Sequence, residues 1–221
     1  LDPLTTAEER ESQHVMQAQA LRMLGRPAEA WHPLAAAASS ALERGDTERA
    51  ARTLLAVNDG AVWGWRSVGE VDSDAIALWR SIRQRLDGRP VVAASVELAI
   101  EAEQIYARRS DVTRDSIDES VAAARRSTSP SELIEVLFLA SLALAGPQRL
   151  LRRAAVHDEL VELCAREGDD RALTRALTAR VATRGELGQF EGLRSDLARA
   201  VTLAERHHAI HRQDTVDPQS E

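Results

Sequence analysis

The 221-residue chain contains no lysine, a single cysteine, one tyrosine, two phenylalanines, seven prolines and eleven glycines. Each scarcity excludes something. One cysteine, Cys164, cannot form an internal disulfide, which rules out a disulfide scaffold and suits a reducing cytoplasm. Glycine and proline make up about 8% of the chain against roughly 12% on average, and aromatics are only 3%. A β-sandwich or barrel needs more turn residues and more aromatic or β-branched ones, so long helices are expected instead. The longest apolar stretch, Leu133–Gly146, is broken by Glu135 and Ser141 and falls short of the ~20 residues that cross a bilayer. No basic, apolar leader opens the chain, which starts at Leu1. We therefore expect a segment of a longer protein or one whose initiator has been removed.

What is present is arginine, alanine and leucine. All 28 basic residues are arginine, consistent with GC-rich codon usage, and 35 acidic residues give a net charge of −7. That balance argues against a general nucleic-acid binder, which needs a basic surface to displace counterions.

Apolar spacing divides the chain into helical segments joined by short breakers. Thr6–Leu24 and Pro27–Arg44 flank Gly25-Arg26. Asp46 is placed to cap a helix through about Val57, before the turn cluster Asn58-Asp59-Gly60 and an irregular stretch, Ala61–Asp72. Helix resumes from Ser73 to about Leu86 and again after Gly88-Arg89-Pro90, followed by a segment carrying Ile117, Val121 and Ala124. Ser129-Pro130-Ser131-Glu132 combines a serine cap, proline at the first helical position and glutamate at the third. That helix ends at Gly146-Pro147 and Leu150–Arg166 follows. A last pair starts at Gly168-Asp169 and breaks at Gly185–Gly188.

Breaks inside successive pairs fall near Gly25, Gly60, Ser110, Gly146 and Gly188, a period of about 40 residues typical of helical repeats. The expected fold is all-α: a right-handed α-solenoid of five antiparallel helix pairs in one domain over residues 1–212. A polar, frayed tail covers 213–221. A compact helical bundle is the alternative.

Gly25-Arg26-Pro27-Ala28-Glu29-Ala30 resembles the helix-to-helix joint of a tetratricopeptide repeat, and Gly188-Gln189-Phe190-Glu191 with Leu193 resembles a degenerate copy. The run Gly45-Asp46-Thr47-Glu48-Arg49-Ala50-Ala51, then Asn58, then Trp63-Gly64-Trp65-Arg66-Ser67-Val68-Gly69-Glu70-Val71-Asp72 is similar to the repeat region of large regulators of high-GC Gram-positive bacteria. Those are signal-transduction ATPases with a nucleotide-binding module, a helical-repeat sensor and often a LuxR-type or SARP-type DNA-binding domain. The resemblance covers most of Glu8–Arg206. It implies a non-catalytic sensor or interaction domain of a cytoplasmic transcriptional regulator, binding a partner or effector on a concave face. A free-standing adaptor, or a small helical-bundle enzyme or metal-binding protein, is the alternative. The sequence has no glycine-rich phosphate loop and no helix-turn-helix segment, so neither ATPase nor DNA-binding activity is carried over.

Candidate binding residues are Trp63, Trp65, Arg66 and Glu70 in the irregular segment, and the arginine clusters Arg108-Arg109 and Arg149/Arg152/Arg153. Trp63, Trp65 and Trp79 equally suit plugging the gap between two helix pairs. Glu97, Glu101 and Glu103 are expected to be solvated or paired with arginines such as Arg89 and Arg108. Cys164 is spaced as a core residue, with His157 two turns upstream. His207, His208 and His211 share a helix without a third ligand type in sight, so no metal is expected, nor any cofactor. Expected partners are a protein or peptide, or other domains of the same regulator, with no membrane and no direct nucleic-acid contact. An apolar end left by a truncated stack would favour self-association.

Overall fold

The computed structural model describes residues 6–58, 72–105, 114–126 and 129–216. Among these, every regular element is helical: α1 (Ala7–Met23), α2 (Pro27–Glu43), α3 (Thr47–Leu55), α4 (Ser73–Arg85), α5 (Pro90–Gln104), α6 (Arg114–Arg125), α7 (Pro130–Ala143), α8 (Leu150–Glu167), α9 (Asp170–Glu186) and α10 (Phe190–Val216). Short 3-10 turns follow α3 and precede α8. The expected helices are found within a residue or two of their boundaries. The last one continues past Gln213 to Val216.

The boundaries follow from local chemistry. At the start of α1, the Thr6 hydroxyl accepts from the Glu9 amide at 3.2 Å and the Glu9 carboxylate accepts from the Thr6 amide at 2.7 Å, a reciprocal cap. Asp46, Asp72 and Asp169 each take amides of the first turn of α3, α4 and α9. Pro27 and Pro90 open α2 and α5, where a missing N–H costs nothing.

The helix ends repeat one device. Gly25 has φ +72°, its amide donates to the Arg22 carbonyl, and the next amide, of Arg26, donates to Leu21. Gly45 and Gly188 close α2 and α9 the same way. This is the left-handed C-terminal motif that satisfies the orphan carbonyls of a last turn. A Cβ at Gly25 would meet nothing within 4 Å, so any cost of adding one comes from the backbone conformation alone. Gly25→Ala is therefore expected to lose about 1 kcal/mol, read as a lower urea midpoint with an unchanged slope.

The chain divides into two compact units, residues 1–143 and 144–221. This boundary falls inside the fourth expected helix pair. In the first unit α7 packs on α5 and α6; in the second α8 packs on α9. The sequence between them carries Gly146 at φ +121° followed by Pro147, which stops α7 and starts a 3-10 turn.

In the first unit each helix packs on its neighbour, and α2 also meets α4, α3 meets α5 and α5 meets α7. The core there contains Trp31, Leu34, Leu54, Trp79, Ile82 and Val96, with Ala30, Ala38, Ala41, Ala50 and Ala51 between them. Alanine at these points lets helix backbones approach closely. Trp79 is fully buried, and its ring lies 6.3 Å from that of Trp31 at 44°. Trp79 thus fills space in the core of the first unit. The side chain of Glu11 is also buried and ties three helices together. It accepts from Arg44 at the end of α2 and, at 2.5 Å, from Arg49 of α3.

In the second unit α9 lies against both α8 and α10. Leu160, Val161, Leu163, Cys164, Leu173, Leu177 and Leu203 form its interior.

Candidate functional site

Of the residues singled out in the sequence, Trp63, Trp65, Arg66, Glu70, Arg108 and Arg109 lie outside the described residues. The side chains of His207, His208 and His211 do as well. Arg149, Arg152 and Arg153 stand at the entrance to α8 without forming one open basic patch. Arg153 is buried and donates to Glu186 of α9 at 2.6 Å, while Arg149 and Arg152 are half-buried and have interactions of their own.

The three glutamates of α5 have separate fates. Glu97 pairs with Arg83 of α4 at 2.7 Å, while Arg89 pairs with Glu48 instead. Glu101 accepts from the Ser116 hydroxyl of α6 at 3.3 Å. Glu103 is buried and has an interaction of its own. The reason is that α5 packs against α3, α4, α6 and α7, so few of its positions face water.

Between α4 and α5 these pairings border a groove of about 320 Å³. Arg80, Arg83 and Gln84 line it from α4, and Glu97, Glu101 and Gln104 from α5, with Ile100 as an apolar element. Helical spacing brings them together: three- and four-residue steps put each set on one side of its helix. The glutamates stood out in the sequence as a stacked pair expected to be solvated or paired with arginines, not as part of a binding site. The arginine and glutamine half did not stand out, because only the packing of α4 on α5 turns it toward the glutamates. The groove carries donors and acceptors on both walls and an Arg83–Glu97 pair that balances charge locally. Such a lining can hydrogen-bond a polar chain segment.

The second unit holds a polar belt that sequence reasoning did not foresee. Arg180 of α9 donates to both carboxylate oxygens of Asp196 on α10 at 2.7 Å and to Asp158 on α8 at 3.0 Å. Arg184 adds a 2.9 Å pair to Asp196. Burial works against the charge on Arg180, but hydrogen bonds to Asp196 and then Asp158 outweigh it and hold its pKa above the ordinary arginine value. Deeper in, His157 Nδ1 and the Thr183 hydroxyl share a 2.8 Å hydrogen bond. Burial, reinforced by the charge of Arg153, lowers the His157 pKa from 6.5 to about 4. Cys164, one of the core residues, has its pKa raised to about 11, mainly by burial, so at neutral pH it stays a thiol.

The histidine has a measurable consequence. In the fold it is neutral at pH 7, whereas the unfolded chain binds a proton near pH 6.5. Its contribution to stability is complete above pH 6.5 and is lost as pH falls toward 4, at up to about 1.4 kcal/mol per pH unit. Urea unfolding followed by circular dichroism between pH 7 and 5 is expected to show this fall, and His157→Gln to flatten it.

No group of three or more His, Cys, Asp or Glu side chains among the described residues is placed to hold a metal ion. No helix among them is long and apolar enough to cross a membrane. Comparison with models of protein families, with curated proteins and with solved structures finds no match to this chain.

Proposed function

We propose that this chain is a non-catalytic helical-repeat module that binds a protein partner or an effector on behalf of a larger cytoplasmic transcriptional regulator. The carrying observation is the packing of alternate helices in the first unit. Contacts of α2 with α4, α3 with α5 and α5 with α7 are of the kind stacked helical hairpins make, which supports reading the unit as a solenoid. The disposition of ionisable side chains supports the same reading. Glu11, Arg153, Arg180 and Asp196 are engaged in bridging one helix to another.

The α4–α5 groove is the binding surface in this reading. A polar peptide segment laid along it meets Arg80, Gln84 and Gln104 as hydrogen-bonding groups. Binding biases the regulator between two states only by as much as its affinity for them differs.

Excising residues 1–221 from the regulator that carries them is expected to abolish its response to effector. Arg80→Glu combined with Gln104→Glu is expected to do the same while leaving the unfolding curve of the module unchanged. A regulator that responds normally without the segment would overturn the reading.

A further inference from the structure

The last helix leaves an apolar stripe uncovered. Phe190, Leu197 and Val201 of α10 are 60%, 50% and 48% exposed. They sit seven and then four residues apart, so at 100° per residue they share one side of the helix. Asp196, Ala200 and Leu203 form the buried row, about a third of a turn away, that faces the rest of the second unit. A soluble surface rarely keeps such a row of large apolar side chains in line without a partner.

The charges along the stripe identify the partner. Arg194 lies between Phe190 and Leu197 and Glu205 one turn beyond Val201, both exposed, and neither is ion-paired among the described residues. The midpoint between Arg194 and Glu205 coincides, within half a residue, with the midpoint between Leu197 and Val201. A two-fold axis passing there superimposes both relationships at once. Leu197 of one helix then rests on Val201 of the partner subunit, and Arg194 stands beside Glu205 of the partner subunit, with the same pair repeated by symmetry about 8 Å on the other side of the axis. Parallel pairing fails on the same residues, because it sets Arg194 against its own copy and Glu205 against its own copy.

We infer that α10 is a self-association surface on which a second copy of this chain docks antiparallel, Leu197 against Val201 on both sides of the axis, with two reciprocal Arg194–Glu205 pairs setting the direction. The surface lies wholly within the second unit and does not depend on the groove between α4 and α5. A seam of about three turns is small, so the dimer is expected to be weak, with a dissociation constant on the order of 10 µM.

Sedimentation equilibrium of the full chain across roughly 1 to 200 µM tests this. A concentration-dependent monomer–dimer equilibrium is expected. Arg194→Glu and Glu205→Arg each place like charges across the seam twice and should weaken the dimer about tenfold or more. The double exchange, Arg194→Glu with Glu205→Arg, restores the pairs in reverse and should return the dimer to within about threefold of the parent. Leu197→Glu should leave only monomer, with the helical circular dichroism signal kept. A parent chain monomeric over the whole range, a dimer indifferent to the single exchanges, or a double exchange no better than the singles would each overturn the inference.

Discussion

Replacing Trp79 by alanine is expected to destabilise the first unit by about 4 kcal/mol, enough to unfold a marginal domain at ordinary temperature. The side chain is completely buried, is the largest such side chain among the described residues, and lies tilted against Trp31. Its removal forfeits the transfer free energy of an indole, opens a cavity in the core and loses the ring contact with Trp31. Trp79→Phe separates these contributions. The Trp79 Nε1 group is buried and meets no hydrogen-bond acceptor among the described residues. Phenylalanine removes that unmet donor while keeping much of the volume, so it should cost only about 1 kcal/mol. Tryptophan fluorescence is the right probe in urea titrations, since all four tryptophans lie within residues 1–143. A loss below about 1.5 kcal/mol for the alanine variant would mean that the core around Trp31 repacks, contrary to the close-packed interior described above.

Asp196→Ala is expected to be nearly as damaging to the second unit, at about 3 kcal/mol. Asp196 is almost fully buried and receives two hydrogen bonds from Arg180 and an ion pair from Arg184. Arg180 is itself largely buried, with 12% of its side chain exposed, so it cannot simply swing out to water when its partner is removed. Asp158, which is more than half exposed, compensates only in part. Asp196→Asn preserves size but not charge and should recover less than half of the loss. Far-UV circular dichroism is the probe here, because the second unit contains no tryptophan. Equal stability of the aspartate and alanine forms would show that the belt is a surface decoration with no energetic role.

Helix ends and starts were legible because the forces that set them act within one turn. Gly25, Gly45 and Gly188 adopt the left-handed conformation that other residues resist, Asp46 and Asp169 offer a carboxylate to free amides, and Pro27 and Pro90 suit only a first turn. Each of these is decided by a residue and its neighbours three or four positions away. The burial of Cys164 was equally readable, since its spacing from Leu160 puts both on the same side of α8. That Glu97 would pair with an arginine was expected too, but the groove it borders was not, since two helices supply the lining.

The amino-acid sequence by itself determined that this protein is built of helices and where each begins and stops, because hydrogen-bond caps, proline and left-handed glycine operate locally. Which helices meet was decided only by tertiary structure. The placement of α7 with α5 and α6, the stacking of Trp79 on Trp31, the burial of Glu11 and Glu103, and the turning of Arg153 and Arg180 into helix interfaces all depend on side chains that are distant in sequence. An alanine- and arginine-rich stripe packs acceptably against many others, so its partner is selected by the summed fit of whole faces. That sum exists only once the chain has folded.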